Sequence, residues 1–125
     1  MNLVRKMRFN IDYDEKSDDL FLYNDRDSKG SIEMGDLILD FDSDGNLTPI
    51  ELLNATTFLR DSVSDKEEKL VTGDFLLTLI GAEVFTKQQS NFLFIKIILT
   101  GKKDVISFPI NAPLIGEASP ALVYP

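Results

Sequence analysis

Cysteine, histidine and tryptophan are missing from the 125-residue chain, and each absence removes chemistry. Without thiols or imidazoles there is no zinc finger, Ser-His-Asp triad, cysteine nucleophile, haem ligand or disulfide. A catalytic site would be confined to Asp, Glu, Lys, Tyr, Ser or Thr. No P-loop and no GxGxxG fingerprint occurs, so nucleotide binding has no motif behind it. Long apolar runs are also missing. The most apolar stretch, residues 91–100, is interrupted by Lys96 and is far shorter than the roughly 18–20 residues that span a bilayer. Met1–Arg8 carries basic residues with no apolar stretch behind them, which is not the pattern of a signal peptide. A cytoplasmic protein is expected, and the sequons at Asn46 and Asn54 are read as chance.

What is present is acid and ordinary apolar content. The chain has 13 Lys+Arg against 21 Asp+Glu, a formal charge of -8, and 43% hydrophobic residues. That apolar share suits a folded domain and exceeds that of disordered chains. The acidity is lopsided, with 15 Asp+Glu and 7 Lys+Arg in residues 1–65 and 6 of each in residues 66–125. A nucleic acid or an anionic membrane surface would be repelled by the first half and not attracted by the second. Cations or a basic protein suit such a face better, with plain solubility as the simplest use of it.

Hydrophobic periodicity outlines the elements. Met7, Phe9, Ile11 and Tyr13 alternate strictly with Arg8, Asn10, Asp12 and Asp14, the pattern of a strand with one wet face. Residues 15–18 make a polar turn, and residues 20–23 form the returning strand. A loop is expected over residues 24–30. Residues 37–41 and 47–53 make a second pair around Asp44-Gly45, with Pro49 forcing an edge or a late start to pairing. Asn54 is expected to cap a helix from Ala55 with its side chain. Residues 60–69 form a linker or a short helical hairpin. A second helix is expected over residues 74–80, started by Thr72 or Gly73 and ended by Gly81. Three strands follow, at residues 82–87, 91–100 and 104–110. The middle one is apolar on both faces except for Lys96, which suggests a central strand covered by helices. The prolines at 109, 113, 120 and 125 make an extended, irregular tail.

One segment fits a metal-binding pattern. Asp40-Phe-Asp-Ser-Asp-Gly-Asn-Leu-Thr-Pro-Ile-Glu51 matches the EF-hand loop D-x-[DN]-x-[DN]-G-x₅-E. Asp40, Asp42 and Asp44 would supply hard oxygens, Gly45 the turn, Asn46 a carbonyl and Glu51 a bidentate carboxylate. The flanks oppose it. The entering residues Ile32, Gly35, Asp36 and Leu39 do not form an amphipathic helix, and Leu37, Leu39 and Phe41 alternate as a strand does. A hairpin is expected, with weak divalent-cation binding by Asp40, Asp42, Asp44 and Glu51 as the alternative. Asp12, Asp14, Asp18 and Asp19 crowd the first turn, where turn chemistry and protection of strand edges explain them better than paired-carboxylate catalysis. Phe75, Phe85, Phe92, Phe94 and Phe108 are core candidates.

The segments Asp12-Tyr-Asp-Glu-Lys-Ser-Asp-Asp-Leu-Phe-Leu-Tyr23, Asp36-Leu-Ile-Leu-Asp-Phe-Asp-Ser-Asp-Gly-Asn-Leu47 and Ile50-Glu-Leu-Leu-Asn-Ala55 resemble the domain-of-unknown-function family 2283. The likeness covers about residues 10–60. It implies that the Asp-rich segment is a β-hairpin and that the chain is similar to longer, archaeal-type members whose second half is a helix followed by strands. The family supplies no catalytic residues to carry over. Some of its short members are suspected antitoxin-like partners of small toxins.

These readings combine into one α+β domain spanning residues 1–125. Residues 10–60 form the two-hairpin half and residues 70–112 a helix with three strands. A mostly antiparallel sheet of about seven strands is expected, ordered as four strands, one or two helices and three strands, with the helices on one face. The expected core includes Phe9, Ile11, Leu20, Leu22, Leu39, Phe41, Leu53, Phe58, Leu76, Ile95 and Ile97. Functionally, a non-enzymatic binding or interaction module is expected. It needs no cofactor or metal and acts through a protein partner or through self-association. The alternatives are a divalent-cation or carboxylate-dependent protein and an acidic antitoxin-like partner of a basic protein.

Overall fold

A computed structural model describes residues 4–113. Five strands come first: β1 (Val4–Asp14), β2 (Asp19–Tyr23), β3 (Gly30–Met34), β4 (Leu37–Phe41) and β5 (Leu47–Leu52). Three short helices follow, α1 (Ala55–Ser62), α2 (Asp65–Glu68) and α3 (Gly73–Leu77). The chain then returns to the sheet as β6 (Gly81–Gln89), β7 (Phe92–Thr100) and β8 (Val105–Pro113). All pairings are antiparallel, and the spatial order is β3-β4-β5-β2-β1-β6-β7-β8. β1 joins the two halves: Asn10–Asp14 pair with β2 on one side, and Val4–Phe9 pair with β6 on the other. The sheet curves into a half-barrel.

The antiparallel sheet with interposed helices is as expected, but the sheet has eight strands among the described residues, and the helices are three short ones. The additional strand is β3. Its apolar residues are only Ile32 and Met34, too few to stand out in a polar stretch. Its signal was the turn after it, because Met34 pairs with Leu37 across a two-residue loop in which Gly35 takes φ 61. Such loops demand positive φ, which glycine supplies without a steric cost.

The second helix is shorter than residues 74–80. It ends at Leu77, where the Thr78 hydroxyl donates to the Asp74 carbonyl, and Gly81 opens β6 instead of closing a helix. The sheet takes the chain at this point, since the Ile80 N–H donates to the Thr100 carbonyl at 2.8 Å. Pro49 falls where β5 starts pairing late: its ladder with β2 begins at Ile50, and the β4–β5 register shifts between Leu39 and Phe41. Pro109 and Pro113 lie inside β8, which among the described residues is paired on one side, where a missing N–H is tolerated. Pro120 and Pro125 lie outside the described residues.

One face of the sheet carries a buried cluster drawn from both halves. Phe9, Leu20, Leu22, Leu39, Phe41, Leu76, Ile95 and Ile97 are buried as expected, while Ile11, Leu53 and Phe58 are half-buried. Leu53 yields its core place to Ile50 and Leu52, because β5 ends before it. Leu59, Val71, Phe75 and Leu76 bring the helical segment into the same core, and the Phe58 ring meets Phe108 of β8 edge-on at 6.2 Å. β7 lies one strand in from the β8 edge and not at the centre of the sheet, which β1 and β2 occupy, and it is covered on one face only. Leu93, Ile95, Ile97 and Leu99 are buried, whereas Phe92, Phe94 and Lys96 are exposed. Phe75 and Phe108 are therefore core residues, and Phe92 and Phe94 are not.

Candidate functional site

The carboxylates of the first half divide into those the fold uses and those it displays. Asp18 is used. It sits in the β1–β2 turn at φ 57 and turns inward, where its carboxylate accepts from the Tyr13 hydroxyl at 2.6 Å, the Thr56 hydroxyl at 2.6 Å and the Thr56 N–H at 3.1 Å. Its carbonyl accepts from the Ala55 N–H at 2.8 Å. Asp18 thus caps α1 from another element, through the free N–H groups that every helix start presents. Asn54 occupies the cap position at φ 51 without a side-chain cap hydrogen bond, which corrects the expected local cap. Burial works against ionisation of Asp18. The hydrogen bonds from Thr56 and Tyr13, with the nearby Arg60 charge, outweigh it and hold the pKa below the usual carboxylate value. Tyr13 moves upward, through burial first, then its bond to Asp18 and the surrounding negative charge.

Asp42 is used in the same way. Its carboxylate accepts from the N–H groups of Asp44 and Asn46, both at 2.9 Å, and from the Arg26 guanidinium at 3.0 Å. Burial opposes the charge here too, and these donors lower the pKa nonetheless. The segment from Asp40 to Glu51 is a hairpin with strands on both sides. Its four candidate ligands do not converge. Asp42 serves its own loop, Asp44 is exposed in the turn, Asp40 stands beside Ser31 of β3, and Glu51 has Phe21 and Ile38 as cross-strand neighbours. Among the described residues no three Asp or Glu side chains are grouped so as to hold a metal ion.

The displayed groups lie on the outward face of the sheet, fixed by strand alternation and register. One row across the strands reads Asp12, Phe21, Glu51, Ile38, Glu33. Next to it, Asp12, Asp14, Asp19 and Glu51 surround an open recess of about 300 Å³ floored by Phe21, and the Phe21 and Tyr23 rings stack with centroids 5.4 Å apart. A second row reads Lys6, Phe85, Lys96, Pro109. Lys6 lies over the Phe85 ring at 5.8 Å, and the Phe92 and Phe94 rings stack at 6.0 Å. A shallow, mostly apolar groove of about 250 Å³ runs between Val4, Phe85, Phe94 and Pro109 with Lys87 and Lys96 beside it. Glu83 lies among these cations and is already held by Lys6 at 3.0 Å and Arg8 at 3.8 Å. The two rows are six residues apart along β1, roughly 20 Å at strand rise. They mark opposite corners of one face, one acidic and one basic and aromatic.

The second corner was not recognised from sequence. Its signal was there: Phe92, Phe94, Lys96 and Ile98 share one parity of β7, and Lys96 is the polar member of that face and not an interruption of a two-sided apolar strand. The described residues contain no helix long and apolar enough to cross a membrane.

The fold and these surfaces define a small, mostly antiparallel sheet protein with an open, charge-divided face. The profile of the family described as "Protein of unknown function (DUF2283)" matches residues 10–55, the span from the middle of β1 to the first residue of α1. An uncharacterized protein of Methanocaldococcus jannaschii is 32% identical over 104 residues, covering 80% of this chain and 82% of that relative. The chain belongs to the DUF2283 family. No solved structure matches it.

Proposed function

We propose that the protein is a non-enzymatic interaction module that works through the outward face of its sheet. The observation that carries this reading is the exposure of stacked aromatic rings there: Phe92 is 44% exposed and Phe94 37%, with Val4 at 63% and Val105 at 52% on the same face. Clustered apolar surface rimmed by charge is characteristic of binding surfaces, because leaving it in water is unfavourable. The half-buried carboxylates Asp18 and Asp42 are by contrast committed to hydrogen bonds within the fold. An antitoxin-like role toward a basic protein would use the acidic corner. Cation binding by Asp40, Asp42, Asp44 and Glu51 has less support, because Asp42 is already engaged.

The test is native mass spectrometry of the tagged protein isolated at low salt from cells of its source organism. A parallel isolation uses the Phe92→Ser, Phe94→Ser double variant. The reading expects a mass above the 14.1 kDa of one chain that is lost in the variant. A bare single-chain mass for both, or an assembly indifferent to the variant, overturns it.

A further inference from the structure

We infer that the occupant of the outward face is a second copy of this chain, docked about a two-fold axis. The acidic corner of each copy then meets the basic, aromatic corner of the other. The inference rests on the interaction reading above and goes beyond it in naming the partner.

A two-fold interface is isologous, so the same surface must carry both halves of every complementary contact. This face does. Asp12, Asp14 and Glu51 stand at one corner, and Lys6, Lys87 and Lys96 at the other. Each corner also holds a stacked aromatic pair, Phe21 with Tyr23 and Phe92 with Phe94. Docking would therefore lay lysines near aromatic faces and carboxylates near lysines in both directions at once. A basic foreign partner would be matched by the first corner and repelled by the second. An acidic foreign partner would meet the reverse. A copy of the chain itself satisfies both.

A two-fold that exchanges the corners lies in the plane between the sheets and crosses the strand direction obliquely, because the corners are separated both along β1 and across the sheet. The strands of the two copies would then cross steeply, which is one of the two common ways sheets pack. Contact by similar corners, Phe92 and Phe94 against their own symmetry mates, would place Lys96 near Lys96 and is disfavoured by like charge.

The test is sedimentation velocity of the purified chain at low salt with two charge-reversed variants, Lys96→Glu and Glu51→Lys. Both positions face outward, and thermal melts confirm that each variant is folded. The wild-type chain is expected to dimerise. Each single variant should weaken dimerisation by about tenfold or more, as loss of a close charge pair does at an interface. An equimolar mixture of the two variants should recover it, because the mixed pair keeps one natural contact and swaps the signs of the other. Monomers for the wild-type chain at all concentrations overturn the inference while leaving the interaction reading to its own test. Dimerisation weakened by Lys96→Glu but untouched by Glu51→Lys, or absence of recovery in the mixture, also overturns it.

Discussion

Asp18 does the work of three separate contacts with one carboxylate. It ties the β1–β2 turn to α1 and fixes Tyr13. Asp18→Ala removes a helix cap and leaves the Tyr13 hydroxyl without its acceptor, so a loss of about 1–3 kcal/mol is expected in urea unfolding. The sign of the pH dependence follows from the direction of each shift. Folding lowers the Asp18 pKa, so its stabilisation is present above the unfolded value, near about pH 4, and is lost as pH falls through the folded value. Folding raises the Tyr13 pKa, so its contribution is present below about pH 10 and is lost as pH rises beyond. Tyr13→Phe should flatten the alkaline limb of the stability curve and Asp18→Asn the acid limb. Thr48 is the opposite case. It is fully buried, and its hydroxyl has no hydrogen-bond partner. Thr48→Val should therefore be neutral or stabilise by up to about 1 kcal/mol in the same unfolding experiment. A clear destabilisation would show that the hydroxyl is satisfied after all.

At the scale of elements, β7 makes the sharpest contrast. Ile97 is fully buried and Phe92 is 44% exposed. Ile97→Ala should cost roughly 2–5 kcal/mol, while Phe92→Ser should stay within about half a kcal/mol, as surface changes do. Urea denaturation of both variants decides whether one face of β7 is covered or two. The turn after β7 gives a second test. A Cβ built on Gly101 would lie 2.7 Å from the Phe75 ring of α3. Gly101→Ala should therefore destabilise by about 1–3 kcal/mol through overpacking. Much of this level was legible in the sequence. The alternation of Met7 to Asp14 fixed β1, and Asp44-Gly45 marked the β4–β5 hairpin, because both signals are local. What was not legible depends on partners distant in sequence. The Asp18 cap joins residues 38 positions apart, so Asn54 looked like the natural cap. β3 exists because β4 offers it a pairing edge, not because Ile32 and Met34 demand a strand. Gly81 looked like a helix terminator until the β7 carbonyls claimed that stretch for the sheet.

For the whole molecule, the imbalance of charge along the chain becomes an imbalance in space. β1 reverses its character midway, with Lys6 and Arg8 beside β6 and Asp12 and Asp14 beside β2. The lopsided composition was plain in the sequence, but the gathering of Asp12, Asp14, Asp19 and Glu51 at one corner of the sheet was not, because it needs the strand order. Electrostatic docking between such corners weakens as salt shortens the screening length to a few ångströms. Dimerisation should therefore fall markedly between about 0.05 M and 1 M NaCl in sedimentation experiments. The aromatic pairs are insensitive to this screening, so some association should persist at high salt; a complete absence of salt dependence would contradict the charge pairing.

The most direct single test of the outward face as the working surface is a concentration series of two-dimensional amide NMR spectra. Chemical-shift changes on dilution should centre on the amides around Asp12, Phe21 and Glu51 at one corner and around Phe85, Phe94 and Lys96 at the other. Changes centred instead on α1 and α2, or on β3 and β8 at the two ends of the strand order, would contradict it.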